Sequence, residues 1–441
     1  MCRTEMPELA SRLLPPQLGQ LVRNRDFVLL WSGSTVSFVG DGIYFIAVAW
    51  EAYRLSGSPI ALGIVGVAFS VPQLLFLLAG GAISDRLDRR RVMIACSIVS
   101  GLAIGAIGLL TVVHAMALWM LWCLVVPYGI SQAFFLPAWR AFIPTLVTPD
   151  SLVQANAVEQ FVQLIAMGVI GPALGGAIVA EWGTGVAFVI DALTFAVAAI
   201  AMARMSRATS EKADRAGGTN PSILREVAVG VSFVRSQPWL WAGLTAAAIA
   251  NIALTGPTQV LVPYIVKFHL HEGAPSLGLI FAAGGAGGIS AAVYIGLKGT
   301  PRRSVSWIFS SWGMASLAVA ALAVAPSVWQ LMVVEFLIVG GIVMGNLVWY
   351  TLMGILVPNQ LLGRVASLDA MVSFSLTPLS NGITGPVANA VGVTATLVGA
   401  GLAGGATTIF FLLWPGVRDP ERKLAMRAWR HQDAGSDPPP P

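Results

Sequence analysis

Three acids stand inside long apolar runs of this sequence: Asp41 between Gly40 and Gly42, Asp191 after Ile190, and Glu335 between Val334 and Phe336. A charge held in the middle of an apolar, water-poor setting costs at least about 2.5–3.5 kcal/mol, so each acid needs a reason to be there. The chemistry such a group offers is proton uptake and release, because a carboxyl can cycle between neutral and charged states. Asp41 lies fourteen positions past Phe27, or about 21 Å along a helix. Its flanking glycines leave room for water or a neighbouring helix. Asp41 ranks first as a proton-coupling residue, Glu335 second and Asp191 third. For each, a hydrogen-bonded contact between helices is the structural alternative. Glu51 and Glu181 are expected at an outer aqueous rim, and Glu159 and Asp369 near inner helix ends.

A second cluster runs from Gly81 to Arg91. Asp85, Arg86, Asp88, Arg89, Arg90 and Arg91 put six charges into seven positions between two apolar runs. A bilayer core cannot solvate such a group, so it must lie at a water interface.

The elements that position these residues follow from composition. Hydrophobic residues make up 56% of the 441-residue chain and charged residues 11%, against about 25% charged in soluble domains. Apolar runs near the 20 residues that span a bilayer recur throughout. Twelve are expected, at 27–50, 58–83, 92–113, 116–138, 156–180, 184–204, 239–263, 274–297, 304–325, 327–351, 364–390 and 392–414. The expected fold is an all-α membrane protein of twelve transmembrane helices in two six-helix lobes. Residues 1–26 form an N-terminal segment, 27–204 one lobe, 205–238 a polar linker, 239–414 the second lobe, and 415–441 a disordered tail. Within the linker, 223–234 alternates apolar and polar residues at helical spacing, which suggests an interfacial amphipathic helix.

Orientation follows from basic residues. With both termini cytoplasmic, Arg54 and Lys267 are the only ones of the 26 lysines and arginines on the outer face, as the positive-inside rule demands. The expected location is therefore the cell membrane, with multiple passes. A net charge of +5 confined to short connectors does not point to nucleic acid. Three cysteines and scattered histidines (His114, His269, His271) show no metal-ligand spacing, and no phosphate-binding Gly-x-x-x-x-Gly-Lys-Ser/Thr loop occurs, so no cofactor, metal or ATP drive is expected. No nucleophile–base constellation suggests an enzyme.

An internal repeat supports the two lobes. Trp139-Arg140 through Leu146-Val147 and Pro149 resembles Trp349-Tyr350 through Leu356-Val357 and Pro358, and Gly171-Pro172 is echoed by Gly385-Pro386. Matching features six spans apart imply parallel repeats about an axis along the membrane normal.

The segment with Gly81, Asp85, Arg86, Arg89 and Arg90 resembles the Gly-x-x-x-Asp-Arg-x-Gly-Arg-Arg loop signature of the major facilitator superfamily, with Asp88 where the second glycine normally stands. The physical expectation is a cytoplasmic latch. Asp85 would meet the positive N-terminal end of the eleventh span near Arg364, and the arginines would pair with Asp85, Asp88 or Asp369. Gly171, Pro172, Gly175 and Gly176 look like the Gly-Pro-x-x-Gly-Gly element of that superfamily's antiporters, where proline bends the helix and glycines admit a neighbour. Val39-Gly40-Asp41-Gly42, Gly57-Ser58-Pro59, Ala133 to Ala138 and Gln154 to Ala157 are similar to the macrolide- and enterobactin-exporter-like branch.

The resemblance implies a proton-coupled exporter of small amphipathic molecules, drug-like or siderophore-like, working by alternating access. Its partners would be cargo, protons and lipid, and the chain would act as a monomer. It also implies that spans one, four, seven and ten line the path. Polar or aromatic positions there include Tyr44, Tyr128, Gln132, Asn251, Gln259 and Asn346. An uptake symporter of the same fold, or a non-transporting sensor or scaffold, is the alternative.

Overall fold

The computed structural model describes residue 21 and residues 23–84, 87–148, 151–206 and 223–421. Asp85, Arg86, the terminal segments before residue 21 and after 421, and residues 207–222 of the expected linker lie outside the described residues. Everything described is helix or short connector; no strand occurs among the described residues. In chain order the helices are α1 (Arg25–Ser56), α2 (Pro59–Ser84), α3 (Arg89–Val112), α4 (Leu118–Leu146), α5 (Leu152–Ile165), α6 (Gly171–Ala203), α7 (Ile223–Ser236) and α8 (Pro238–Gly256). They are followed by α9 (Ala274–Lys298), α10 (Ser304–Leu322), α11 (Val328–Leu356), α12 (Asn359–Ser375), α13 (Thr377–Val391) and α14 (Val393–Leu413).

Local chemistry sets the ends. The Asn24 side chain accepts from the backbone N–H groups of Asp26 and Phe27 at 3.1 and 3.2 Å and starts α1. Gly57, at φ 67°, ends it. Asp88 caps α3 in the same way, accepting from the N–H groups of Arg90 and Arg91 at 2.9 and 3.3 Å. Such caps satisfy amides that the first turn leaves without partners.

Ten stretches among the described residues are long and apolar enough to cross a membrane. Their outward faces carry large apolar side chains, with Leu75 70%, Leu102 69% and Leu109 63% exposed. A water-facing surface avoids such patches, whereas lipid favours them. The stretches agree with most of the expected spans, and two differences are instructive. Leu152–Ala203 is one run of 52 residues. At 1.5 Å per residue it would be about 78 Å long if straight, more than twice the hydrocarbon thickness. Gly183, at φ 82° and ψ 169°, breaks it, so it holds two passes. The expected span 364–390 is split between α12 and α13 at Leu376. The split leaves pieces of 17 and 15 residues, each short for a crossing by itself.

The chain divides into two compact units, Met1–Thr219 with Pro263–Ala282, and Asn220–Val262 with Ala283–Pro441. The first packs α1, α3, α4, α5 and α6 around Phe27, Met93, Trp139, Phe142 and Met202. The second packs α8, α10, α11, α12 and α14 around Trp239, Phe309, Trp312, Trp349 and Phe411.

In the second unit α13 wedges α8 open. The Ser380 hydroxyl accepts from the Gly256 N–H at 2.7 Å and donates to the Ile252 carbonyl at 2.7 Å. Gly256 and Ile252 are the pair that would normally bond each other, so the hydroxyl is inserted into the helical ladder. A π-helical turn, Pro257–Leu261, follows directly, and a second occupies Ile265–His269. Replacing Ser380 by Ala should leave both backbone groups without that partner, at a cost of about 1–3 kcal/mol. The expected result is a lower thermal unfolding midpoint in detergent. An unchanged midpoint would mean that α8 closes its own bond.

Candidate functional site

Asp41 sits near the middle of α1, buried, and accepts a hydrogen bond from the Tyr128 hydroxyl of α4 at 2.8 Å on Oδ1. The Tyr128 ring is held by its neighbours. Tyr44 and Phe195 pack against it edge-on with centroids 5.2 and 5.9 Å away, and Phe69 lies tilted at 5.1 Å. Asp191 on α6 is fully buried. Its Oδ1 accepts from the Thr194 hydroxyl at 3.2 Å, while Oδ2 has no hydrogen-bond partner.

Gly40 lets these groups come together. A Cβ at that position would collide with Asp191 Oδ1 and with Thr194 Oγ1. A side chain beside Asp41 would therefore drive α6 away, and the glycine lets the two carboxyls share one buried region.

A cavity of about 30 Å³ opens beside Asp41, lined by Ser34, Ser37, Phe38, Cys96, Ser97, Ser100, Gln132, Phe135, Phe195 and Ala198. Among the described residues, no lysine, arginine or histidine lines it. Two neighbouring carboxyls with no positive partner cannot both be charged cheaply.

The Gly171–Gly176 element locks α6 against α1. Gly171 faces the Cα of Gly42, and Gly175 faces Ile43, so that a Cβ on either would come within 2.7 to 2.9 Å of those backbone atoms. Gly176 faces the start of α9, where its Cβ would be 2.7 Å from the Ala274 carbonyl. The bend expected at Pro172 is absorbed one turn earlier. Ala166–Ile170 forms a π turn that passes through the Gly171 N–H to the Ala166 carbonyl, widening the helix where proline supplies no donor.

The arginine-rich segment reaches backbone carbonyls as well as an acid. Arg89 donates to the Ala141 carbonyl at 3.2 Å, and Arg90 donates to the Met202 carbonyl at 2.7 Å and to that of Ala203. These carbonyls belong to the last turns of α4 and α6, where the helix dipole is negative. Arg91 lies 3.4 Å from Asp88, an exposed pair of small energetic weight.

Residues 20–432 match a family model described as transmembrane secretion effector. The chain belongs to this family of major facilitator transporters. Among similar proteins, the multidrug efflux pump Tap of Mycolicibacterium fortuitum is 26% identical over 386 residues, covering 85% of this chain and 92% of that protein. Macrolide efflux protein A of Streptococcus pyogenes is 23% identical, covering 65% and 69%. The match to the uncharacterised transporter YfiS of Bacillus subtilis, 25% identical, covers 63% of this chain and 66% of that protein. A bacterial homologue of the iron transporter ferroportin shares the fold at a TM-score of 0.65, with 18% identity, over 89% of this chain and all of that one. The nucleoside transporter NupG does so at 0.66, with 11% identity, over 91% and 100%. The fold is that of the major facilitator superfamily, and the chain is a multi-pass membrane transporter with a small-molecule substrate.

In this transporter Glu335 lies in the second unit, buried on α11, with Oε2 lacking a partner and its side chain packed against Gly284 of α9. Among the expected path residues, Tyr44 and Tyr128 are packed into the aromatic cluster, and Gln132 lines the cavity. Asn346 accepts from Trp312 Nε1 at 3.1 Å, and Asn251 and Gln259 are half-buried. Glu51 departs from expectation. It is fully buried rather than at an aqueous rim, ion-paired with Arg54 at 2.6 Å and bonded by the Thr184 hydroxyl at 2.7 Å.

Sequence reasoning missed one pair of contacts altogether. Trp139 Nε1 of α4 donates to Glu159 of α5. Trp349 Nε1 of α11 donates to Asp369 of α12 at 3.1 Å. Each indole precedes its carboxylate by 20 positions, so both pairs carry the internal repeat. The repeated Trp-to-Pro segment contained the signal, because the acids follow in the same register.

Proposed function

We propose that this transporter exports small amphipathic cargo, drug-like or siderophore-like, and that proton binding at buried carboxyls drives it. The observation that carries the reading is the Asp41–Tyr128 hydrogen bond, with Asp191 across Gly40 and no basic side chain lining the cavity beside it. Such a site takes up a proton readily and changes its hydrogen bonding when it does. Glu335, buried in the second unit with an unpartnered oxygen, is the second protonation site. The efflux names of Tap and of macrolide efflux protein A support the outward direction.

In this reading, residues 27–204 and 239–414 are two lobes that rock about a shared path, as a monomer, with both termini in the cytoplasm. Tyr44, Tyr128, Gln132, Asn251, Gln259 and Asn346 contribute to the cargo path. Gly171, Pro172, Gly175 and Gly176 seal α6 against leak. The segment from Gly81 through Asp85, Arg86, Asp88, Arg89 and Arg90, together with Asp369, governs gating. Proton and cargo must bias the same two-state equilibrium for coupling to arise.

The test is dye transport by everted membrane vesicles energised with a pH gradient. Accumulation that a protonophore collapses, and that Glu335→Gln slows, supports the reading. Uptake into intact cells instead of efflux would reverse the assigned direction. An absence of proton movement with every compound tried would favour a sensor or scaffold.

A further inference from the structure

We infer that the cavity beside Asp41 is a binding site for one dehydrated Na+ ion, which can replace the coupling proton; the inference rests on Asp41 being a coupling residue. Its volume of about 30 Å³, where roughly 10–15 Å³ suffices for one water, admits one or two water-sized occupants. A fully hydrated ion or a drug-sized cargo is excluded. The polar groups on its wall are Ser34, Ser37, Asp41, Ser97, Ser100 and Gln132. All can present oxygen, which is what a hard cation takes as ligand.

Two hydrogen bonds orient these oxygens for a cation. The Ser34 hydroxyl spends its proton on the Leu30 carbonyl at 2.8 Å, so only lone pairs remain for the cavity. Tyr128 occupies Asp41 Oδ1 and leaves the second oxygen available. The titratable groups around Asp41 are Asp191, Tyr44, Tyr128 and Cys96. None brings positive charge, and Asp191, which does not line the cavity itself, has a buried oxygen without a partner across Gly40. An anion is therefore rejected. A cation would settle the charge of the paired carboxyls as a proton does, and the two would compete.

The occupant chemistry is a small cation held by oxygen, and a proton carried on water shares it. The experiment separates them. The purified full-length chain in detergent is heated in NaCl, KCl or choline chloride of equal ionic strength, at several pH values. Specific binding to the folded state raises the unfolding midpoint with ligand concentration. The expected result is a midpoint raised by Na+ over K+ and choline, with a larger shift at higher pH, where fewer protons compete. Ser97→Ala combined with Ser100→Ala should weaken the apparent Na+ affinity at least tenfold while leaving the midpoint in choline near that of the parent. In proteoliposomes, an inward-directed Na+ gradient without a pH gradient should drive dye export.

Identical midpoints in all three salts at every pH would overturn the Na+ site and leave the proton alone as occupant. Proton-driven export and its loss in Asp41→Asn would survive that outcome. A Na+ shift that persists unchanged in Asp41→Asn would also overturn the site. Parental pumping by Asp41→Asn under a pH gradient would instead overturn the coupling role itself.

Discussion

Asp41→Asn is expected to reduce pH-gradient-driven export by at least tenfold while the protein still folds and reaches the membrane. Asparagine keeps the size of the side chain and an oxygen that can accept from Tyr128, so the packing of α1 on α4 and α6 survives. What it removes is the ability to exchange a proton. Coupling free energies of about 1–3 kcal/mol correspond to about 5–150-fold in function. The loss should therefore appear in the driven rate, with little change in exchange of cargo down its own gradient. Asp41→Glu restores the acid but displaces the carboxyl by one methylene from the Tyr128 hydroxyl that meets Asp41, so only partial recovery is expected. Tyr128→Phe removes the donor to Oδ1 and nothing else. It should alter the pH dependence of export rather than abolish it, because the carboxyl keeps its ability to exchange a proton and loses one hydrogen-bond partner. Export rates of the three variants across pH, normalised to membrane protein level, provide the check. A parental rate in Asp41→Asn would remove Asp41 from the mechanism.

How much of this was legible in the chain depends on sequence distance. Helix limits followed from apolar runs and local caps, and the structure places most of them within a few residues of expectation. The Glu51–Arg54 pair is also local, three positions apart on one helix, and that spacing brings side chains together; the aqueous rim expected for Glu51 overlooked it. The Asp41–Tyr128 bond joins residues 87 positions apart, and nothing in either segment names its partner. The arginines of the loop show a different limit. Counting charges pairs them with acids, as Arg91 pairs with Asp88, but does not point to the backbone carbonyls at the ends of α4 and α6 that Arg89 and Arg90 also reach. A helix end offers unsatisfied acceptors whatever its side chains are, so composition cannot reveal it. The break at Gly183 falls between the expected spans 156–180 and 184–204, whereas the split at Leu376 is a backbone event inside one expected span, where hydropathy gives no warning.

Trp349 should be the most costly single position to truncate in the second unit. Its ring is 2% exposed and packs on Trp239 and Trp312 with centroids 5.5 and 5.7 Å away. Removing a buried indole costs about 3–5 kcal/mol, enough to consume much of the stability of an ordinary domain. Trp349→Ala is thus expected to give little folded protein in the membrane. Trp349→Phe keeps most of the ring and deletes the Nε1–H donor, leaving Asp369 without that bond at a cost of about 1–3 kcal/mol. Asp369→Asn retains an acceptor and should be milder than Asp369→Leu, which strands the indole N–H. The same order should hold at Trp139 and Glu159, because that pair joins the corresponding helices of the first unit. Thermal unfolding midpoints in detergent, measured for the matched sets, test both halves at once. Equal midpoints for Asp369→Asn and Asp369→Leu would show that the hydrogen bond contributes nothing and that packing alone holds α12 to α11. If the bond matters at one tryptophan and not at the other, the two halves have kept the same contact for different purposes, and the conserved register between them is no guide to gating.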